Sequence, residues 1–401
     1  MIEGTQRTGA APAREGPAWG AVFSMTLGVF GLVTAEFLPA SLLTPMAADL
    51  HVSEGLAGQA VTATAVVALV TSLLVSAATR RLDRRYVLLA FSVLLTVSNL
   101  LVAFAPGLPA LLLARVLLGV ALGGFWTMSA ATVMRLVPEA LVPRALSLLF
   151  SGVSAATVAA APLGSYFGDI IGWRGVFVIA AGLGLLALAV QFATLPRMAP
   201  SGTTRLRTLV EVLARPQVGF GMLAVLLVFT GHFAFFTYIR PFLETVTGVG
   251  ITGVSGILLG FGIANFLGTF LGGVLLERSM RLTMMLMPLT MGILGLGLVA
   301  VGGGAPVANT AMVALWGVAF GAVPVAWSTW LTRTVPDEAE SAGGLLVAAV
   351  QLAIATGAAA GGAIFDVSGA LGVFTGAGFV LLLAAVMIVL GIRPRTATAA
   401  A

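Results

Sequence analysis

Cysteine and lysine are both absent from the 401-residue chain, and all twenty of its basic residues are arginine. Without thiols there is no disulfide, no thiolate metal site and no thiol redox switch. Without lysine there is neither a phosphate-loop ammonium nor an amine for Schiff-base chemistry, which excludes ATP hydrolysis by that route and pyridoxal catalysis. Work against a gradient must then draw on an ion gradient or on another subunit. Histidine is nearly missing too. His51 and His232 are the only two, far apart and with no Cys to complete a site, so no metal centre or haem is expected. Charged residues make up 9% of the chain, against about 25% in a soluble domain. No clustered set of His and carboxylates points to an enzyme.

What fills the chain is apolar: 59% of residues are hydrophobic and the mean hydropathy is +1.09. The apolar runs are each roughly 18 to 26 residues, the length a helix needs to cross about 30 Å of hydrocarbon. They are not the short alternating segments of a β-barrel. The fold class is therefore an all-α membrane protein. Punctuation by charge, Gly and Pro places twelve spans near 19–43, 56–79, 86–105, 109–134, 144–168, 173–195, 217–239, 252–276, 282–302, 307–332, 341–365 and 371–392. The first is too long for a signal-peptide core and is expected to be retained.

Arginine orients these spans. Seventeen of the twenty lie in the N-terminal tail (Arg7, Arg14), the even-numbered loops (among them Arg80, Arg81, Arg84, Arg85, Arg135 and Arg333) and the C-terminal tail (Arg393, Arg395). Basic loops stay on the cytoplasmic side, so both termini are expected there, in a bacterial inner membrane. The net charge of +5 is thus a topology signal and does not imply nucleic-acid binding. The polar stretch 196–216, with Pro196, Pro200 and four arginines, reads as a linker. It divides the chain into a cytoplasmic tail (1–18), a six-helix bundle (19–195), the linker (196–216), a second six-helix bundle (217–392) and a tail (393–401). The halves repeat. Arg135-Leu-Val-Pro138-Glu139 recurs as Arg333-Thr-Val-Pro336-Asp337, 198 residues on, and Gly164-to-Asp169 recurs as Gly361-to-Asp366, 197 residues on. An even number of spans per half makes the repeats parallel, with a substrate site expected near the midplane between them.

Several motifs carry a resemblance. Arg115-Val-Leu-Leu-Gly119, followed by Gly123 and Gly124, sets an arginine inside an apolar span, which is rare on energetic grounds alone. Gly273-Val-Leu-Leu-Glu277-Arg278-Ser-Met-Arg281 is a charged-loop motif. Its first-half counterpart is degraded, with Ser76, Arg80 and Asp83 at motif positions, and keeps only Arg84 and Arg85. Ala161-Pro162-Leu-Gly164 is a remnant of a Gly/Pro-rich fifth span. With twelve spans in two repeats, the chain resembles the major facilitator superfamily, in its drug and metabolite proton-antiporter branch. The runs around Glu36, Trp126, Phe233-to-Pro241 and Trp327-to-Trp330 are similar to those of the bacterial purine ribonucleoside efflux group. That resemblance implies export of inosine, guanosine and their analogues in exchange for protons, by one copy of the chain and with no cofactor. Exporters of antibiotics or sugars, and a membrane sensor that does not transport, are the alternatives. The sensor reading lacks a use for the repeat and the intramembrane charges.

Glu36 is the most informative single residue, a carboxylate inside an apolar span. Counting from the span ends, Glu36 and Arg115 lie ~15 Å and ~12 Å from the same face and can share a depth. Glu36 either exchanges a proton, alternating between a form paired with Arg115 and a protonated form, or serves with Arg115 as a fixed structural pair. His232 is the other titratable candidate for coupling. Purine recognition needs flat rings and a few amides or hydroxyls. Trp126, Phe236, Tyr238 and Trp327 are the candidate rings, and Asn265 and Gln351 the candidate amides. The adjacent Phe125 and Trp126 point about 100° apart, and Trp126 is the one expected to face inward. Arg240, with Glu244, is a candidate gate at the outer end of the seventh span. Glu277 and Arg278, more than Arg84 and Arg85, are the candidate latch. Fifty glycines allow close helix approach.

Overall fold

The computed structural model describes residues 16–199, 206–215 and 217–391. Most of both tails, including Arg7, Arg14, Arg393 and Arg395, and Arg205 in the linker lie outside the described residues. The described chain is helical apart from short connections, as hydrocarbon demands, because only a helix or a closed barrel bonds all its own backbone groups. Ten helical runs are long and apolar enough to span a membrane. They are α1 (Trp19–Ser41), α2 (Glu54–Ala78), α3 (Arg84–Ala103), α4 (Leu108–Leu136), the run Val142–Thr194, α7 (Val218–Thr237), α8 (Ile251–Arg278), α9 (Met280–Val301), α10 (Pro306–Thr334) and the run Ala339–Gly391.

Each 53-residue run holds two helices that meet at one glycine. Gly172 (φ 74°, ψ 157°) separates α5 (142–171) from α6 (173–194), and Gly369 (φ 64°, ψ −168°) separates α11 (339–368) from α12 (370–391). Both angles lie in a region essentially reserved for glycine, and the two positions are 197 residues apart, on the repeat offset. Short helices Leu43–Leu50 and Leu206–Leu213, and a wide turn Phe242–Val246, fill stretches expected to be loops or span ends. Side chains start several helices: Ser53 accepts from Leu56 N–H at the head of α2, and Asp83 from Arg85 N–H at the head of α3.

Packing repeats as the sequence does. In the first half α1 and α3 lie on the α5–α6 run and α2 on α4. In the second, α7 and α9 lie on the α11–α12 run and α8 on α10. Glycines allow the α2–α4 and α8–α10 contacts. A Cβ at Gly119 or Gly123 would meet Thr64 O or Ala68 O, and one at Gly317 or Gly321, each 198 residues on, would meet Phe261 O or Asn265 O. Between apolar helices in lipid such close approach, through van der Waals contact, is the main source of association.

The halves meet through α2 against the α11–α12 run, α8 against the α5–α6 run, and the ends of α1 and α7. These contacts cluster at the end opposite the arginine-bearing loops. There Gly55 abuts Gly362 O and Asp366, Gly58 abuts the Tyr238 hydroxyl, and Arg240 donates to Ser41 O. Midway, Gly262 of α8 crosses Thr157 and Val158 of α5. At the arginine-rich end, Arg85 bonds Phe192 O (2.7 Å), Arg135 bonds Ala199 O (3.0 Å) and Arg281 bonds Val389 O (2.9 Å), and none of these three crosses between the halves. Arg215 and Asp337 pair there at 2.8 Å, which holds the exposed Asp337 carboxyl below its usual range. Among the described residues α4 and α10 make no extended contact across the boundary. The halves are closed at one end and parted at the other.

Gly172→Ala and Gly369→Ala should each destabilise by about 1–3 kcal/mol through backbone strain alone, since open space surrounds both glycines. Thermal unfolding of the detergent-solubilised protein measures this. Gly182→Ala, an exposed helical glycine with equally open surroundings, should leave the midpoint unchanged or raise it.

Candidate functional site

Glu36 sits one turn and a half from the end of α1, with 8% of its surface exposed. It lines a small cavity at the boundary between the halves, with Phe37 and Ala40 of α1, Val61 of α2, Phe233, Phe236 and Thr237 of α7 and Ile354 of α11. The cavity is large enough for roughly one water molecule. Its walls are aromatic, and Phe37 stands edge-on to Phe236 with ring centres 5.3 Å apart. One polar side chain from the second half, Gln351 of α11, lies near the Glu36 carboxyl. Carboxyl oxygen Oε1 is buried without a partner.

Arg115 has no exposed surface. It donates from Nη1 to Ala35 O of α1 (2.8 Å) and from Nε to Ala60 O of α2 (3.3 Å), while Nη2 is unpartnered. Among the described residues no ion pair joins Arg115 to Glu36; the guanidinium grips the carbonyl of the preceding residue and acts on Glu36 through space. Three helices of the first half therefore converge on one cation. The expected shared depth holds, but as neighbours across a backbone turn.

His232 of α7 is enclosed, with 2% exposure. Its ring lies flat on Phe320 with ring centres 3.2 Å apart, and Trp316 Nε1 donates to its Nδ1 at 3.2 Å. An indole N–H can only donate, so Nδ1 is an unprotonated acceptor here. Phe236, stacked 5.8 Å from His232, links that ring pile to the Glu36 cavity.

The remaining candidates are dispersed. Tyr238 turns away from the cavity and donates to Ala358 O (3.0 Å) in the seal between α2, α7 and α11. Asn265 is buried in α8 beside the crossing with Gly321. Trp327 is 2% exposed and packs edge-on against Trp330, within the core of the second half. Trp126 is half-buried in α4 and stacks on Phe150 of α5 with ring centres 6.2 Å apart. Glu36 and Phe236 line one cavity together with Phe37 and Phe233, which sequence reasoning missed, while Gln351, Arg115 and His232 stand around it. An apolar ring in an apolar span gives no signal of the face it occupies.

At the closed end, Arg240 is buried and forms an ion pair with Glu244 at 2.8 Å while bonding Ser41 O in the other half. At the arginine-rich end, Glu277 and Arg278 are exposed, and among the described residues neither has a hydrogen bond or ion pair. In that second-half motif Arg281 donates to Val389 O (2.9 Å), and the first-half copy has ordered contacts of its own. Arg84 donates to Thr79 Oγ1 (2.8 Å), Asp83 accepts from Met198 N–H (3.0 Å), and Arg85 lies over the Phe192 ring.

Comparison with known proteins fits this arrangement. The profile of the Major Facilitator Superfamily matches residues 25–353. The chain belongs to the Major Facilitator Superfamily. Its relatives include the purine ribonucleoside efflux pump NepI of Salmonella paratyphi C, 47% identical over 94% of this chain and 95% of that protein. The NepI of Salmonella enteritidis is 46% identical over the same shares. Among solved structures, a D-xylose-proton symporter superposes with a TM-score of 0.75 at 18% identity, covering 94% of this chain and 98% of that one. An inward-facing, unoccupied bacterial homologue of the human lysosomal transporter Spinster gives 0.71 at 15% identity, covering 95% and 96%. This superfamily member is a multi-pass membrane protein and a secondary transporter of small molecules, not an enzyme.

Arg115→Leu should destabilise the protein by several kcal/mol, because it leaves a buried carboxylate without its compensating charge. Glu36→Gln should recover part of that loss. The Glu36/Arg115 double-mutant cycle, read by thermal unfolding, should return a coupling of about 1 kcal/mol or more although the two side chains are not in contact. Additive effects would contradict the through-space interaction.

Proposed function

We propose that this transporter exports purine ribonucleosides such as inosine and guanosine in exchange for protons, with Glu36 as the group that carries the proton. The observation that carries this reading is the position of Glu36: a carboxyl enclosed at the closed boundary between the halves, in a cavity walled by both of them, near Gln351 of the opposite half and neighboured by Arg115. Enclosing a charged carboxylate costs more than enclosing a neutral one, so proton binding and closure of this face are linked. A group that bridges the halves transmits its protonation state to their packing. Arg115, fixed on α1 and α2, keeps Glu36 directed at that boundary, and His232 supports the aromatic wall behind it. Arg240, with Glu244 and Ser41 O, acts as the gate on the same face.

The nucleoside assignment draws on the efflux pumps that are 46–47% identical over nearly the whole chain, and on the aromatic side chains of α1, α4 and α7. The arginine loops orient both termini to the cytoplasm of a bacterial inner membrane, so the parted end of the cleft faces the cytoplasm. That is the side from which an exporter loads. Both halves and the full cleft lie in one chain, so the working unit is a monomer, driven by the proton gradient without a cofactor.

In inverted vesicles with an acid lumen, so that protons leave as cargo enters, the protein should accumulate labelled inosine, with chloramphenicol and arabinose as weak competitors. Glu36→Gln should reduce gradient-driven accumulation by at least about tenfold while leaving downhill inosine exchange measurable. Accumulation by the Gln variant that matches the wild type would remove Glu36 from the coupling role, and absence of inosine movement by the wild type would remove the nucleoside.

A further inference from the structure

The face that α4 turns toward the cleft can be read residue by residue. A Cβ at Gly123 would meet Ala68 of α2, one at Gly124 would meet the Phe91 ring of α3, and the Phe125 ring lies against Gly28 of α1. Successive helical residues are about 100° apart, so Trp126 is left between the α1 and α2 directions, opposite α3. There it meets Phe150. On α5, Phe150 lies seven and eight residues, about two turns, before Thr157 and Val158, which touch Gly262 of α8 in the other half. It therefore belongs to the face of α5 that looks at the second half. At this level the halves have parted, and 46% of Phe150 is exposed. The two rings are near parallel, with 24° between their planes. Both stand on the arginine-rich side of the crossing with α8, away from Glu36.

We infer that Phe150, with Trp126 behind it, is a stacking platform for the purine base, which makes Phe150 a substrate-contacting residue that sets affinity for the cargo. The inference rests on the reading of the cargo as a purine nucleoside. Rigid rings held parallel by packing offer a flat apolar face, and a nucleobase supplies the matching one. No polar side chain bonds either ring in place, so the platform tolerates inosine and guanosine alike. Recognition of ribose falls to other groups, and the proton site is at a different depth from the base. Cargo and proton therefore need not occupy the same space to exclude one another.

The test is inosine transport in proton-energised inverted vesicles, with rates normalised to protein in the membrane. Phe150→Leu should raise the apparent KM for inosine by at least about fivefold with the maximal rate within about twofold of wild type. Phe150→Tyr, which keeps the ring, should stay near the wild-type KM. Where the Leu variant does not reach the membrane, Phe150→Met takes its place. A wild-type KM in the ring-less variant would overturn the inference and leave the proposed function standing. A loss of maximal rate shared by the Leu and Tyr variants would also overturn it, assigning Phe150 to helix packing. If the wild type moves no inosine, both fall together.

Discussion

A guanidinium with no exposed surface must find acceptors for its donors or leave a charge stranded in an apolar bundle. Arg115 meets that constraint by gripping Ala35 O and Ala60 O, and so fixes α1 and α2 on α4. Consecutive side chains on a helix diverge by about 100°. With Ala35 held against α4, the next residue, Glu36, turns to the boundary with the second half. The position of the one carboxyl in the cavity thus follows from where the cation of another helix bonds. The arrangement places a charged group at the surface whose opening and closing constitutes transport.

The closed and parted ends rest on different physics. At the closed end, backbone meets side chain at distances only glycine allows, at Gly55 and Gly58, and a polar bond crosses between halves from Arg240 to Ser41 O. At the other end, bonds such as Arg85 to Phe192 O and Arg281 to Val389 O tie each half to itself. Each half can therefore move as a packed unit while its own loops remain tied. Contacts along α2 and α8 recur at the repeat offset, so a rotation that parts one end has a ready counterpart at the other.

Much of this was legible in the sequence because charge is so scarce. Each of Glu36, Arg115 and Arg240 stands alone in an apolar run, and burial of such a residue demands a reason. The twelve spans fell within about three residues of the helices at nearly every end, since their limits are set by Arg, Gly and Pro. The repeated Asp169 and Asp366 each lie three residues before a break, at Gly172 and Gly369, where the sequence alone suggested two separate spans with a loop. What could not be read is which face of each helix looks inward. In a soluble helix, polarity marks the outer face; here every face is apolar, so Phe37 and Phe150 look no different from rings that meet lipid. Trp327 illustrates the converse. It has the composition of a ligand contact and the surroundings of a core residue. The latch was expected at Glu277 and Arg278 because that motif copy is the more complete; ordered bonds occur at both copies, from Arg281 to Val389 O in the second and at Asp83, Arg84 and Arg85 in the first, through backbone groups that no motif records.

The central claim is that cargo and proton compete through one carboxyl at the boundary between the halves. The most direct measurement is proton release from the purified, detergent-solubilised protein in weakly buffered solution on addition of inosine, followed with a pH indicator. The account predicts release approaching one proton per protein molecule in the wild type and none from Glu36→Gln that still binds inosine. Equal release from both proteins, or inosine binding by the wild type with no release across the pH range where it transports, would contradict it.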